Sequence, residues 1–387
     1  MFFRHGSTTA LRPRGTATGL SPADAPLAPT DAGLAQAGAP ILQAAEVSRH
    51  AVRLVVVPRT VTRHAAGGDA ARAAADQPRV VAFAQLAKLL RAGDLVVVND
   101  AATLPASLPA RSARGDRFEL RLSGPVEGNR LRGVVFGAGD WRTRTEDRPP
   151  PPPLAAGEEL HVGAIATRIV SLAGRRIELV ARESEDALWQ ALYEAGRAVQ
   201  YAHRPEPLDL WTVQTAYASR PWAAEMPSAG RALTWDVLLS LRRAGVGIAR
   251  LTHAAGLSST GDDALDRALP WPERYELPAA TVDAIAATRA RGGRVIAVGT
   301  TVVRALESAA LDSGVLHAGS GIATLRLDAS FPLQVVDGIV SGLHSPGESH
   351  FELLQAFAPR DRLVRAIDLA AANGLSAHEL GDACLIV

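Results

Sequence analysis

The sequence predicts an α/β fold of two domains, in which a small antiparallel β-barrel or sandwich interrupts the α/β domain. Short apolar runs such as 95–98 and 295–298 are typical of strands that a parallel sheet buries on both faces. Amphipathic helical runs such as 235–244 accompany them along the chain. Between residues 106 and 182 the pattern changes to short alternating runs separated by Gly and Pro, which favours a small barrel or sandwich.

The predicted domain limits follow these changes of pattern. Residues 1–45 are rich in Ala, Pro, Gly and Thr with little periodicity, which indicates a tail or a loosely packed lead-in. Residues 46–105 and 183–387 are expected to form a discontinuous α/β domain. Residues 106–182 are expected to form the inserted β domain.

The elements of the α/β domain can be assigned in chain order. The apolar run 52–57 predicts the first strand, 83–90 a short helix, and 95–98 a buried strand that ends in Asn99 and Asp100. Helical periodicity returns after the β domain, and Gly residues end several of these helices. The predicted helices are 186–196, 235–244, 279–291, 302–311, 351–357 and 363–373.

The inserted domain is predicted from alternation and from proline. Alternating runs predict strands at 118–122, 130–135, 160–166 and 176–180. Consecutive prolines at 149–153 exclude a central strand there, because proline cannot donate to a β-ladder. We therefore expect an exposed polyproline loop at that place.

Composition limits the classes of function. The chain has 387 residues with a formal net charge of +1, so no global field draws it to nucleic acid or membranes, although local basic patches are not excluded. Cys384 is the only cysteine, which excludes an internal disulfide and a thiolate metal cluster, and the dispersed His residues indicate no metal site. No apolar run is long enough to span a bilayer and the first residues lack a signal core, so we expect a cytoplasmic protein without membrane contacts.

The stretch 294–308 is the most informative local pattern in the chain. The apolar run 295–298 reads as a buried strand that leads through Gly299 into a helix. Gly299 permits a sharp turn, and Thr300 or Thr301 is expected to cap the helix. The free N–H groups and the positive end of the helix dipole at such a junction favour a carboxylate, a phosphate or ribose hydroxyls. An ordinary capped junction without a ligand is the alternative.

Seven separated segments, in order along the chain, resemble the S-adenosylmethionine:tRNA ribosyltransferase-isomerase family of queuosine biosynthesis. Residues 294–308 are close to the family's R-V-I-A-V-G-T-T-S-V-R-T-L-E-S, and residues 90–100 to its L-x-P-G-D-L-L-V-x-N-D. The other segments are similar to Y-Q-T-V-Y-A, P-T-A-G, H-S-E-x-Y-E, V-D-x-L-I-T-N-F-H-x-P and Y-G-D-A, and they lie at 213–218, 227–230, 272–276, 336–346 and 381–383. The resemblance implies an α/β domain interrupted by a small antiparallel β-barrel.

The resemblance also implies an enzyme that uses S-adenosylmethionine as a co-substrate. In that family the ribosyl part of S-adenosylmethionine, rather than its methyl group, passes to an aminomethyl group on a deazaguanine in tRNA. The ribosyl group rearranges to give epoxyqueuosine, and adenine and methionine leave. The implied partners are S-adenosylmethionine and tRNA, and we expect a monomer or a weak oligomer.

This chemistry assigns candidate roles to residues in the matching segments and near them. A base must take a proton next to the sulfonium and an acid must assist the departure of adenine, while the methionine carboxylate needs donors and the ribose diol needs acceptors. The catalytic candidates are His253, Glu273 and His344. The candidates for binding S-adenosylmethionine are Gly299, Thr300, Thr301, Arg304, Tyr275, Asp337 and Asp382, and those for binding the acceptor are Asn99, Asp100, Gln214, Ser228 and Gly230.

Several of these residues also have a purely structural interpretation. Arg304 and Glu307 lie three residues apart on one predicted helix and pair with each other in this alternative. In the same interpretation Asp337, which precedes Gly338, only caps a turn. Tyr275 then belongs to the core.

The chain departs from the family pattern at charged positions. Ala102 and Ser107 stand where the family has arginines, Ala232 where it has a histidine, and Gly347 where it has a lysine. Each lost phosphate contact weakens nucleic-acid binding. Two alternatives therefore stay open: a divergent relative that binds S-adenosylmethionine but uses a small-molecule acceptor, and a non-catalytic binding protein. An RNA acceptor predicts a basic groove between the two domains, and an acidic or closed groove would count against it.

Overall fold

The strands of the protein fall into a large sheet, a barrel and a short pair. The computed structural model describes residues 47–59, 77–201, 204, 206–311, 314–377 and 380–387, and the predicted lead-in over residues 1–45 lies outside them. Within these ranges the strands are β1 (Arg53–Val57), β2 (Arg79–Ala82), β3 (Leu95–Asn99), β4 (Ala101–Thr103), β5 (Ser107–Ser112), β6 (Arg117–Leu122), β7 (Arg130–Phe136), β8 (Glu159–Val162), β9 (Ile165–Ala173), β10 (Arg176–Ala181), β11 (Arg220–Ala223), β12 (Gly247–His253), β13 (Glu273–Leu277), β14 (Val295–Val298), β15 (Gly319–Ala323), β16 (Gly338–Gly342) and β17 (Ala383–Ile386).

The helices lie before and after the barrel segment of the chain. Those in the described ranges are α1 (Leu86–Leu89), α2 (Glu185–Ala195), α3 (Trp235–Arg243), α4 (Asp263–Arg267), α5 (Ala279–Ala290), α6 (Thr300–Ala310), α7 (Ser349–Leu354) and α8 (Arg360–Ala372), with 3₁₀ turns at Phe83–Gln85, Thr145–Asp147, Leu210–Val213 and Ser228–Gly230. None of the described helices combines the length and the apolar character that crossing a bilayer requires.

The large sheet has nine strands in the order β15-β13-β12-β3-β14-β16-β17-β1-β2. Strands β12, β3, β14 and β16 are parallel to one another, and β17 is antiparallel to β16. Alternate residues of the central strands face opposite sides of the sheet. Val97 packs with Leu306 of α6 on one face, and Val96 packs with Leu241 of α3 on the other. The apolar run therefore forms a strand buried on both faces, as its pattern predicted.

Six further strands form a closed barrel in the order β10-β7-β6-β5-β8-β9, in which all neighbours are antiparallel, and β4 and β11 form a short parallel pair. The α/β fold with a small antiparallel β-barrel is thus confirmed, and the sandwich alternative is excluded. The run 160–166 was predicted as one strand but belongs to two, because Gly163, with φ of 57°, turns the chain between β8 and β9. The limits of the two domains stay a prediction.

Helix α6 is tied to the neighbouring loop by Glu307, whose side chain is completely buried. Its carboxylate accepts hydrogen bonds from the backbone N–H groups of Gln334 (2.9 Å), Val335 (3.0 Å) and Val336 (3.0 Å). Glu307 therefore does not pair with Arg304. The structural interpretation, in which these two residues of one helix pair with each other, is wrong. It serves as an acceptor for a segment whose backbone donors would otherwise be buried without partners.

Candidate active site

A cleft of about 1150 Å³ opens beside the edge of the large sheet where β12, β14 and β16 end. Because these strands are parallel, their carboxyl ends meet at one edge, which is where open α/β sheets bind ligands. The loops that follow them supply lining residues within 255–259, 299–301 and 343–344. Further lining residues come from segments within 225–229, 263–270, 325–328 and 347–353.

The junction at Gly299 opens directly into this cleft. Gly299 has φ of 91°, a conformation that residues with a Cβ rarely adopt, and its N–H donates to the carbonyl of Val340 (2.8 Å). Helix α6 begins at Thr300 without a side-chain cap, so neither Thr300 nor Thr301 caps it as the sequence predicted. Gly299, Thr300 and Thr301 all line the cleft, and the positive end of the helix dipole points toward it.

Arg304 and Glu273 form a buried ion pair at the wall of the cleft. The guanidinium also donates to the carbonyls of Leu325 (3.0 Å), Trp271 (3.1 Å) and Ala323 (3.0 Å). Arg304 therefore links its own helix to the backbone at Trp271 and at 323–325, and it fixes the Glu273 carboxylate. Burial raises the pKa of Glu273, although the adjacent Arg304 opposes this shift. A carboxyl group in this setting is suited to take up and release a proton.

His253 lies directly behind Glu273 and is completely buried. Its Nε2 is 3.6 Å from Oε2 of Glu273, and neither ring nitrogen has a hydrogen-bond partner among the described residues. Asn99 fixes its backbone, accepting from the His253 N–H (2.9 Å) and donating to the His253 carbonyl (3.0 Å). Burial, together with the nearby Arg304 charge, lowers the pKa of His253 to about 3, so the imidazole is neutral at pH 7.

This buried imidazole makes stability depend on pH. Because the folded-state pKa of about 3 lies below the ordinary 6.5, the unfolded chain binds a proton between these values and the folded chain does not. We therefore expect stability to fall as the pH drops through this window. His253 should account for about 2 kcal/mol of the free energy of unfolding lost between pH 6.5 and 5.

Urea denaturation at the two pH values tests this expectation. His253→Asn should lose less stability on acidification than the wild type. His317→Asn, which changes an exposed histidine, should keep the wild-type dependence. An unchanged pH dependence in His253→Asn would contradict the assignment.

His344 follows β16 and reaches the same cleft as Glu273. Its Nδ1 lies 3.2 Å from Oε2 of Glu348, and its ring centroid lies 4.7 Å from that of His350. Burial and the neighbouring His344 lower the pKa of His350 to about 3. Of the three catalytic candidates, Glu273 and His344 line the cleft, whereas His253 contacts it only through Glu273.

Three candidates for binding S-adenosylmethionine do not line the cleft. Tyr275 is buried in the core on β13, with its ring over Gly321. Asp337 lies at the opposite edge of the sheet, before β16, where it accepts from the N–H of Val295 (2.8 Å). Asp382 precedes β17 and forms an ion pair with Arg53 (2.9 Å). These three residues have side chains of the type that binding S-adenosylmethionine needs, but their side chains contact other parts of the protein and do not reach the cleft.

Of the residues predicted to bind the acceptor, only Ser228 lines the cleft. Gly230 is buried against the Tyr217 hydroxyl, which leaves no room for a Cβ. Asp100 accepts from the Thr252 hydroxyl (2.6 Å). The others are also held by protein groups: Gln214 exchanges two hydrogen bonds of 2.9 Å with the backbone of Thr103, and Asn99 holds His253.

The cleft also contains polar residues that the sequence interpretation missed. The Tyr201 hydroxyl donates to Glu225, and Asp266 accepts from the Thr260 hydroxyl (2.6 Å). None of these residues belongs to a sequence motif that points to a site, although Glu225 lies two residues before the segment 227–230. The lining carboxylates are Glu225, Asp263, Asp266, Glu273, Asp328, Glu348 and Glu352, and the lining arginines are Arg267, Arg304 and Arg326. The cleft is therefore acidic, not the basic groove expected for an RNA backbone, and it favours a ligand with positive charge.

The chain is similar to known proteins in sequence and in structure. The sequence model of the family described as "Queuosine biosynthesis protein" matches residues 37–386. Two relatives named S-adenosylmethionine:tRNA ribosyltransferase-isomerase come from Anaeromyxobacter sp. (strain K) and Trichlorobacter lovleyi. The first is 34% identical over 355 residues, covering 90% of this chain and 95% of that protein. The second is 33% identical over 313 residues, covering 79% of this chain and 88% of that protein.

A solved structure is also similar to this chain. It is the S-adenosylmethionine tRNA ribosyltransferase from Thermotoga maritima, which is 23% identical, with a TM-score of 0.47 and coverage of 89% of this chain and 96% of that chain. The family assignment rests on the sequence matches, which extend over most of this chain and of the relatives. By these matches, the chain belongs to the queuosine biosynthesis protein family.

Proposed function

We propose that the protein is an S-adenosylmethionine:tRNA ribosyltransferase-isomerase that converts an aminomethyl deazaguanine in tRNA to epoxyqueuosine. The relatives that carry this name align with most of the chain. The observation that carries the proposal at the site is the acidic cleft with an uncapped helix N-terminus in its wall. S-adenosylmethionine has a sulfonium and an ammonium group, which suit the carboxylates, and a carboxylate, which suits backbone N–H groups.

The proposed binding roles follow from this complementarity. Gly299, Thr300 and Thr301 would offer backbone N–H groups and hydroxyls to the methionine carboxylate or to the ribose. Ser228 would contact the acceptor base, since it is the one predicted acceptor-binding residue that lines the cleft. Arg304 would act as a positioning residue, because most of its donors already bind Glu273 and backbone carbonyls.

The proposed catalytic roles use the two candidates that line the cleft. Glu273 would take the proton from the carbon next to the sulfonium, and the raised pKa of its buried carboxyl group suits this task. His344, which is partly exposed in the same cleft, would give a proton to the departing adenine. The neutral His253 behind Glu273 would position that carboxylate rather than touch the substrate.

The test is calorimetric titration with S-adenosylmethionine, followed by chromatography for released adenine with and without tRNA that carries the aminomethyl deazaguanine. Binding with tRNA-dependent release of adenine is the expected result. The absence of binding would contradict the proposal, because the cleft would then serve another ligand.

A second candidate is the same ribosyl transfer to a small cationic acceptor. The acidic lining favours it, and so do Ala102, Ser107 and Gly347, which replace basic residues of the family pattern. Binding of S-adenosylmethionine without tRNA-dependent release of adenine would favour this candidate. A free aminomethyl deazaguanine base that triggers the release would establish it.

We also propose that the protein works in the cytoplasm as a monomer or a weak oligomer. This placement fits a substrate pair of S-adenosylmethionine and tRNA. Sedimentation velocity at several concentrations should give a monomer mass, or a mass that rises only slowly with concentration. A stable dimer at low concentration would contradict the assignment.

Replacing Gly299 by alanine should reduce the affinity for S-adenosylmethionine. With φ of 91°, a Cβ at this position strains the backbone, and relief of the strain moves the start of α6. We expect a stability loss of about 1–2 kcal/mol and at least tenfold weaker binding by calorimetry. Gly292→Ala is the control, because Gly292 has φ of 72° with open space around it and does not line the cleft. It should lose similar stability but keep its affinity, and equal affinities in both variants would contradict the role of Gly299.

A further inference from the structure

Positive charge is concentrated in the barrel segment of the chain. Residues 106–182 contain 13 Arg and 9 Asp or Glu, a net +4, whereas the whole chain has a net charge of +1. The remaining residues therefore carry a net −3. The acidic cleft belongs to that remainder, so the barrel segment is the part of the chain whose net charge favours a polyanion.

Part of this charge forms a row across three neighbouring strands. Arg111 of β5 lies directly opposite Arg117 of β6 on one side and His161 of β8 on the other. Arg114 lies in the turn that joins β5 to β6. All four side chains are exposed, and we call them the arginine row. Like charges on directly opposed residues destabilise a sheet, so the row is unfavourable unless an anion covers it.

The arginine row differs from the other side of the barrel. Within the described residues, no carboxylate forms an ion pair with Arg111 or Arg117, and Asp116 in the same turn accepts instead from the Ser112 hydroxyl (2.8 Å). On β7, by contrast, Arg130 pairs with Glu178 (3.2 Å) and Arg132 with Glu127 (2.9 Å).

We propose that the arginine row binds the phosphate backbone of the RNA acceptor. This inference rests on the proposed function, and it answers the question of where the backbone lies when the cleft itself is acidic. Arginine binds phosphate through paired N–H groups. Arg111 and Arg117 have no ion-pair partner among the described residues, while Arg114 donates to the carbonyl of Pro153 (3.5 Å) and keeps its other N–H groups for a ligand.

The distance between the row and the cleft suits a stem-loop. The carbonyl of Ser123, which follows β6, lies 3.5 Å from where a Cβ on the cleft residue Gly256 would stand. Arg117 lies six residues before Ser123, about 20 Å away along an extended strand. A stem-loop whose target base enters the cleft can lay its backbone along the barrel over that distance, with the base unstacked as in other enzymes that modify bases.

A matched pair of double variants tests the proposal. R111A/R117A removes two unpaired arginines from the row, and R130A/R132A removes two paired arginines from β7. Both change the formal charge by the same amount, and both should keep the wild-type melting temperature within a few degrees. The measurement is the dissociation constant for tRNA carrying the aminomethyl deazaguanine, taken at several salt concentrations with S-adenosylmethionine binding as a separate readout.

We expect R111A/R117A to bind tRNA at least tenfold more weakly, with the slope of log K against log salt reduced by about 1–2. R130A/R132A should show less than a threefold change in affinity. Equal affinities and slopes in the two variants would overturn the proposal that the arginine row binds the RNA backbone, but would leave the proposed function intact. A wild-type protein that binds S-adenosylmethionine but no tRNA would overturn both proposals.

Discussion

Glu307→Ala is expected to lower the free energy of unfolding by about 3–6 kcal/mol, because three backbone donors lose their only described acceptor. The Glu307 side chain is completely buried, so water cannot replace the carboxylate without opening the interface between α6 and the segment 334–336. That segment leads into β16, whose end supplies the cleft residues around His344. Because 334–336 join the amino end of β16, opposite the end that supplies these cleft residues, the loss should appear in global stability.

Urea denaturation of Glu307→Ala and Glu307→Gln measures this effect. The glutamine keeps one acceptor oxygen of nearly the same position, so we expect it to lose about half as much stability. Asp361→Ala is the surface control, because Asp361 is exposed and only pairs with Arg365 on the same helix. A change in Glu307→Ala no larger than that of the surface control would contradict the role of this buried carboxylate.

Glu273→Gln is expected to reduce the release of adenine by about 10²–10⁴-fold, since an amide cannot take up the proton. The glutamine has nearly the same shape and keeps an oxygen that can accept from the N–H of Gly256. Binding of S-adenosylmethionine should therefore weaken much less than turnover. The loss of the buried ion pair costs about 3–5 kcal/mol, and the carbonyl partners that Arg304 retains place the cost at the lower end of this range.

A control must separate lost chemistry from lost stability. Glu307→Gln also removes a buried carboxylate and lowers stability, but Glu307 does not line the cleft. Assayed below the melting temperatures of both variants, Glu307→Gln should keep its turnover within a few-fold of wild type. If Glu273→Gln turns over as fast as that control, Glu273 is not the base.

The local pattern was sufficient for the elements with strong periodicity. Residues 95–98 alternate between the two faces of the sheet and form β3 because their apolar side chains pack on both sides. The helices predicted at 186–196, 235–244 and 279–291 were placed to within one residue at each end, whereas those predicted at 351–357 and 363–373 each missed one end by three residues. The change of pattern after residue 105 indicated an inserted β module, since alternation and prolines are local signals, but it did not distinguish a barrel from a sandwich.

Other elements could not be read from local pattern. Strands β13 and β16 have neither clean alternation nor a long apolar run, and they are strands because partners on both sides complete their ladders. The division of 160–166 into two strands depended on Gly163, whose turn closes the barrel. Non-local hydrogen bonding therefore decided these assignments.

The candidate site divides in the same way. The strand–Gly299–helix junction is a local pattern that the sequence predicted, and in the structure it lines the cleft. Asp337, Asp382 and Tyr275 have side chains of the type that the chemistry needs. Only the tertiary structure shows that Asp337 accepts from a backbone N–H, that Asp382 pairs with an arginine, and that Tyr275 is buried in the core.

By itself the sequence determined the α/β fold with its inserted β module, the family and the junction at Gly299, because each depends on residue order over short stretches. Only the tertiary structure decided that Arg304 pairs with Glu273, that His253 is buried behind that pair, and that the cleft is acidic. Each of these depends on residues far apart in the chain. Burial and neighbouring charge, which set protonation and binding, exist only once the chain has folded.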